Sequence, residues 1–133
     1  MPTSARGAYG DVVLKPTFAP DLRSTHSYVV TAEMKPGHLD VVTLSTPDMI
    51  RQVEGVCARL LQEHLEPGFV TVGTHVCMSH SGAAMEGEEV RVEVRVKEIV
   101  KRRVIFEEEC FSPRGSISTG THERAIVSAD RFG

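Results

Sequence analysis

A single stretch of this chain, Ser45–Leu65 (STPDMIRQVEGVCARLLQEHL), carries the spacing of a long helix, so whatever the flanks form must pack on that helix. Met49, Ile50, Val53, Val56, Cys57, Leu60, Leu61 and Leu65 recur at the intervals of one buried stripe. Pro47 suits the first helical turn, where its missing N–H costs nothing, and Ser45 or Thr46 offers a capping oxygen. Glu66-Pro67-Gly68 ends the run, because proline cannot continue a helix and glycine tolerates the exit geometry. At ~100° per residue Thr46 falls in the middle of the apolar face and Glu54 at its edge. A carboxylate at the edge of a core needs a partner or a task.

The flanks read as strands. Thr25–Met34 holds the β-formers Tyr28, Val29, Val30 and Thr31 and stops at the turn signal Lys35-Pro36-Gly37. Phe69–His80 is rich in β-branched residues, with Gly73 as a bulge or close-approach point. In Glu88–Arg102, Val90, Val92, Val94 and Val96 alternate with Glu89, Arg91, Glu93, Arg95 and Lys97, which predicts one dry face and one wet one. Short turns at Lys101–Arg103 and Ser112–Gly115 join this strand to Val104–Phe111 and Ser116–Ala129. One strand, one helix and then a strand with an antiparallel meander predict an α+β domain: an antiparallel sheet wrapped around one long central helix, the hot-dog fold.

With 133 residues the chain is the size of one domain. Residues 1–23, with prolines at 2, 16 and 20, read as an extended arm and 24–133 as the folded domain. A formal net charge of −3 and the lack of a basic run argue against nucleic acid. No apolar run approaches the ~20 residues of a membrane span, and the N-terminus has no signal-peptide core. Cys57, Cys77 and Cys110 are odd in number and set in apolar patterns, so reduced, buried thiols and a cytoplasmic location are expected.

Three places hold side chains with chemistry to offer: Thr46 and Glu54 on the helix; Gly73, Thr74 and His80 on the strand after it; and Gly120-Thr121-His122-Glu123-Arg124 on the last strand. Strict two-residue alternation would put Thr74, Val76, Met78 and His80 on one face and His75, Cys77 and Ser79 on the other. It also puts His122 and Arg124 together, opposite Glu123. Each has an ordinary structural reading: Thr46 as a helix cap, Glu54 as a boundary residue, His80 as a core histidine, Arg124 as a cross-strand partner of Glu123 or Glu108. No cluster has the tight Cys/His spacing of a zinc site, so no metal is expected. No Gly-x-Ser-x-Gly elbow is present, and Cys57 and Cys77 lack a basic neighbour that would make them nucleophiles.

Taken together, Thr46-x7-Glu54, Gly73-Thr74-x5-His80 and the terminal GTHERAIV (Gly120–Val127) resemble the fluoroacetyl-CoA thioesterase-like family of hot-dog thioesterases. The resemblance covers roughly 24–127, and GTHER is its most specific piece. It implies hydrolysis of an acyl-CoA thioester with a small or short acyl group, with Thr46, Glu54 and His80 as the catalytic threonine, glutamate and histidine. It also implies that Gly73 and Arg124 line the acyl-CoA site. The segment Lys35–Leu44 (KPGHLDVVTL) is short and lacks the aromatic lid of the fluoroacetate-specific member, so the resemblance carries the reaction further than the acyl selectivity.

The residues suit that reaction. A thioester has an electrophilic carbonyl and a good thiolate leaving group, and needs a nucleophile, a proton relay and oxyanion stabilisation. Glu54 can act as base on water or as direct nucleophile, His80 can pass a proton, and the Thr46 hydroxyl can attack or hold the nucleophile. Thr46 and Glu54 are separated by about 12 Å along the helix at ~1.5 Å per residue, so substrate, water or a partner subunit has to bridge them. A sheet with an open edge around one helix predicts a homodimer or a dimer of dimers. No cofactor beyond the acyl-CoA substrate is expected. The competing readings are a hot-dog acyl-CoA binder, an acyl-CoA lyase or hydratase, and a non-catalytic module that binds a protein at its sheet edge.

Overall fold

A computed structural model describes residues 13–131. Strands β1 (Arg23–Val29), β2 (Phe69–Met78), β3 (Glu89–Val100), β4 (Arg103–Ser112) and β5 (Gly115–Ser128) form one antiparallel sheet in the order β1-β3-β4-β5-β2. One long helix, α1 (Thr46–Gln62), packs against it. The β3-β4-β5 meander is the one expected from the alternation. Val90, Val92, Val94 and Val96 are buried beneath α1, which contributes Met49, Val53, Val56, Cys57, Leu60 and Leu61 to the same core. Full burial of a side chain of this kind contributes roughly 1.5–3 kcal/mol, so these rows fix which sheet face the helix covers.

Four local expectations change. β1 stops at Val29, and Ala32–Met34 is a short 3-10 turn rather than the end of a strand. The helix ends at Gln62, before Leu65, although Leu65 remains in the core. Ser45 supplies the cap: its Oγ accepts from the Asp48 N–H at 3.2 Å and donates to Asp48 Oδ2 at 2.6 Å. Thr46 is therefore exposed at the helix tip instead of lying in the apolar stripe. The fourth change is the face of Thr74 in β2: the bulge foreseen at Gly73 is present as a register shift against β5 between Gly73 and His75. The extra residue, Thr74, turns to the outer face and donates to Glu123 Oε2 at 2.8 Å. Thr74 thus lies on the opposite face from the one that strict alternation gives, whereas Val76 and Met78 still oppose His122 and Gly120.

The segment before β1 is part of the packing. Val13, Leu14 and Phe18 are fully buried, the Lys15 N–H donates to His64 O, and the Glu66 N–H donates to Val13 O. This strap closes the core at the C-terminal end of α1, away from Thr46. The earlier residues of the arm, including Tyr9, fall outside the described segment.

Candidate active site

Because Ser45 caps the helix, the Thr46 hydroxyl is available for another partner. Its Oγ1 lies 2.7 Å from Nδ1 of His80, just beyond the end of β2. The two line an open pocket of about 350 Å³ with Thr43, Ser45, Gly82 and Ala83. Burial pushes the His80 pKa below the ordinary imidazole value, against an opposing contact with the Gly82 backbone. A neutral ring can accept the threonine proton, and so hold the Thr46 oxygen ready for a carbonyl or a water.

Glu54, two turns further along α1, belongs to a second and denser group. Its side chain is 36% exposed, and its Oε2 sits 4.0 Å from Nε2 of His122, which has no exposure at all. Gly73 allows this approach: a Cβ there would stand 2.9 Å from Glu54 Oε2, 3.3 Å from His122 Cε1 and 3.4 Å from Arg124 Nη1. Arg124 is 8% exposed. Its Nε donates to Thr71 Oγ1 at 2.9 Å, Nη2 to Thr71 O at 3.1 Å, and Nη1 to His122 Nε2 at 3.2 Å. Arg124 is thus neither a partner of Glu123 nor an open fork at the surface. Glu123 lies on the outer face with Thr74 and Arg103. Burial lowers the pKa of both His122 and Arg124, and the guanidinium beside the imidazole lowers the former further.

The structure therefore brings together Thr46 with His80, and Glu54 with Gly73 and Arg124, as two groups along one helix. His122 is the residue that the sequence left without a role. Its signal was alternation in GTHER, which put it on the Arg124 face.

Elsewhere, Glu108 is 5% exposed and accepts from Ser118 Oγ at 2.8 Å and from Cys110 Sγ at 3.4 Å; burial raises its pKa. Burial also pushes the Cys57 thiol up to about 12 and raises that of Cys110, so neither is a ready thiolate. Cys77, expected to be buried, is exposed on the outer face of the edge strand. Among the described residues no three His, Cys, Asp or Glu side chains are placed to hold a metal ion. None of their helices is long and apolar enough to cross a membrane. A larger groove of about 460 Å³ lies over β1, β3, β4 and β5, lined by Arg23, Arg95, Glu107, Gly120 and Thr121 among others, and contains none of Thr46, Glu54, Gly73, His80 and Arg124.

The family model described as fluoroacetyl-CoA-specific thioesterase matches residues 25–130. The chain belongs to the fluoroacetyl-CoA-specific thioesterase family. It is 29% identical over 119 residues to the fluoroacetyl-CoA thioesterase of Streptantibioticus cattleyicolor, covering 83% of this chain and 86% of that one. The solved structure of the fluoroacetyl-CoA thioesterase FlK superposes with a TM-score of 0.82 at 27% identity, over 86% of this chain and 92% of that one. A hot-dog-like protein from Thermanaerovibrio acidaminovorans, 24% identical, superposes at 0.80 over 86% and 87% of the two chains, which identifies the fold. The sheet around α1 is accordingly a hot-dog fold, and the family is one of acyl-CoA thioester hydrolases. Family membership does not favour the binder or the lyase.

Proposed function

We propose that this family thioesterase hydrolyses a small acyl-CoA through Glu54, Thr46 and His80. The observation that carries the reading is the 2.7 Å contact between Thr46 Oγ1 and His80 Nδ1, on the same helix that holds Glu54 against Gly73. Glu54 takes a proton from water, the oxygen attacks the thioester carbonyl, and the tetrahedral oxyanion collapses with loss of coenzyme A thiolate. The proton held by Glu54 returns to the leaving sulfur. The Thr46 hydroxyl, its proton directed at His80, accepts from the attacking water and holds it in place. No cofactor enters this scheme. A cytoplasmic location fits the free thiols.

The working form is a homodimer. β2 is an edge strand, and its Gly73–Cys77 stretch is exposed, including the apolar Val76. Such an edge invites pairing with a second copy. Antiparallel pairing about His75 and Val76 would bring the His80 end of one protomer towards the Gly73 and Glu54 end of the other. That answers the ~12 Å separation of Thr46 and Glu54 within one chain. Gly73 and Arg124 then shape the wall against which the thioester lies.

The test is thiol release over a panel of acyl-CoAs from acetyl and fluoroacetyl upward, for wild type and Glu54→Gln. We expect turnover confined to small acyl groups and a loss of about 10²–10⁴-fold in kcat in the variant. Wild-type hydrolysis by Glu54→Gln would sink the mechanism.

A further inference from the structure

His122 is fully buried, and its two nitrogens face partners that leave one protonation state. Nδ1 lies 2.8 Å from the His75 carbonyl, which only accepts, so Nδ1 carries the proton. Nε2 lies 3.2 Å from Arg124 Nη1, which only donates, so Nε2 is bare. Both contacts require the same neutral tautomer. The same nitrogen faces a carboxylate as well as the cation, because Nε2 is also 4.0 Å from Glu54 Oε2. The other N–H groups that anchor Arg124 go to Thr71, and His122 supplies the acceptor for Nη1, the nitrogen near Gly73 and Glu54. The remaining groups around the ring are His75 on β2, which disfavours its charged form, and the apolar Val76 and Phe106, its neighbours on β2 and β4.

We propose that His122 is a positioning residue that holds the Arg124 guanidinium off the Glu54 carboxylate, so that the carboxylate remains free to take a proton from water. The inference rests on Glu54 being the base. Without the imidazole acceptor, the natural partner for Arg124 Nη1 is the nearest carboxylate, Glu54. A carboxylate in contact with a guanidinium keeps its charge more tightly and is a weaker base. The ring thus acts as a spacer: it retains a buried cation near the reacting centre and prevents the ion pair that would neutralise the base.

Two amides separate this role from packing. His122→Asn keeps a donor near the Nδ1 position and loses the acceptor at Nε2; His122→Gln keeps an acceptor near Nε2 and loses the tie to His75. With acetyl-CoA, or the best substrate of the panel, His122→Asn should lose about tenfold or more in kcat with little change in KM. The acid limb of its kcat/KM profile should move to lower pH. His122→Gln should leave that limb in place while lowering Tm. A folded His122→Asn with a wild-type limb and kcat overturns the proposal, as does a limb displaced equally in His122→Gln. Should His122→Asn not fold, ¹⁵N-histidine NMR of the wild-type protein decides: a bare Nε2 and protonated Nδ1 at pH 7 support the spacer, and an imidazolium or an Nε2–H tautomer overturns it. If Glu54→Gln is inactive while His122→Asn is normal, only this inference falls. If Glu54→Gln is fully active, the base assignment falls first.

Discussion

The two groups along α1 each contain a histidine, yet they are built on opposite principles. At the helix tip, His80 and the exposed Thr46 share one short contact beside an open pocket. Two turns on, His122 and Arg124 are almost wholly buried and every nitrogen named above has a partner, with only Glu54 keeping partial contact with solvent. A loose pair can follow a substrate through a reaction. A saturated buried network holds one geometry, and loses much when one member is cut, because its neighbours are left desolvated and unpaired. Substitutions at the tip should therefore alter rate with little change in stability, and substitutions in the cluster should alter both.

The largest effect that can break this contrast is catalytic. Glu54→Gln combined with His80→Ala should be little slower than the slower single variant if the groups act in one step, because linked catalytic groups are non-additive. Losses in kcat that multiply would place them in separate steps. Next is Thr46→Val, which removes the hydroxyl from an exposed helix tip. We expect roughly 10–10²-fold lower kcat with Tm within a degree or two of wild type, checked by thermal melts beside kinetics. A large fall in Tm would show that the tip is as structural as the cluster.

Arg124→Ala should behave the other way. It leaves Thr71 and His122 without their donor in a buried site, which costs about 2–4 kcal/mol and several degrees of Tm, together with activity. An unchanged Tm with a raised KM would instead make Arg124 a ligand-binding residue alone. Gly73→Ala is a smaller probe of the same packing. Its Cβ would meet Glu54 Oε2 at 2.9 Å, and the carboxylate, at the end of a flexible side chain, can retreat. Activity should fall about tenfold while the fold survives, as activity and melting temperature measured on one sample will show.

The smallest effect is in acid stability. Both histidines have pKa values lowered by burial, so the unfolded chain takes up protons first as pH falls through the ordinary imidazole range of about 6.5. Stability from this source is full above that range and is lost as pH falls towards the folded values. Wild type should therefore lose more Tm between pH 7 and pH 5 than His122→Gln does, and the flattening should be weaker for His80→Ala. Equal flattening would erase the distinction between a partly buried and a fully buried ring. Glu108 has the opposite sign. Its raised value means that ionisation favours the unfolded chain as pH rises, so Glu108→Gln should raise Tm at pH 8 and converge with wild type near pH 4.

Much of this was legible in the sequence where one residue property decides one position. The valines of β3 announced the dry face and the helical stripe announced α1, although Pro67-Gly68 put its end several residues past Gln62. Thr46, Glu54, Gly73, His80 and Arg124 were singled out as candidates because their spacings form a family pattern. What escaped depended on a choice between equivalents. Ser45 and Thr46 are both capping residues, and only the path of the chain into the helix decides which one caps. Thr74 was misplaced because strict alternation was carried across Gly73, although that glycine was itself the mark of a bulge. Cys77 fits an apolar pattern yet faces outward on an edge strand that has no neighbour on one side.

That bulge sets a constraint on how this chain can change. Gly73 and His80 are an odd number of positions apart, and in a regular strand they would point in opposite directions. The bulge takes Thr74 out of the ladder, so Gly73 and His75 pair with adjacent residues of β5 and both Gly73 and His80 point inward. Loss of that single codon would leave the two an even number of positions apart in a regular strand, still on one face, and would remove only the Thr74 contact with Glu123. One codon gained beside the bulge, by contrast, would throw the strand out of phase: His80 would swing away from Thr46, or the glycine gap beneath Glu54 would fill with a side chain. The bulge is slack in the strand, and it lets this stretch lose a residue more easily than gain one.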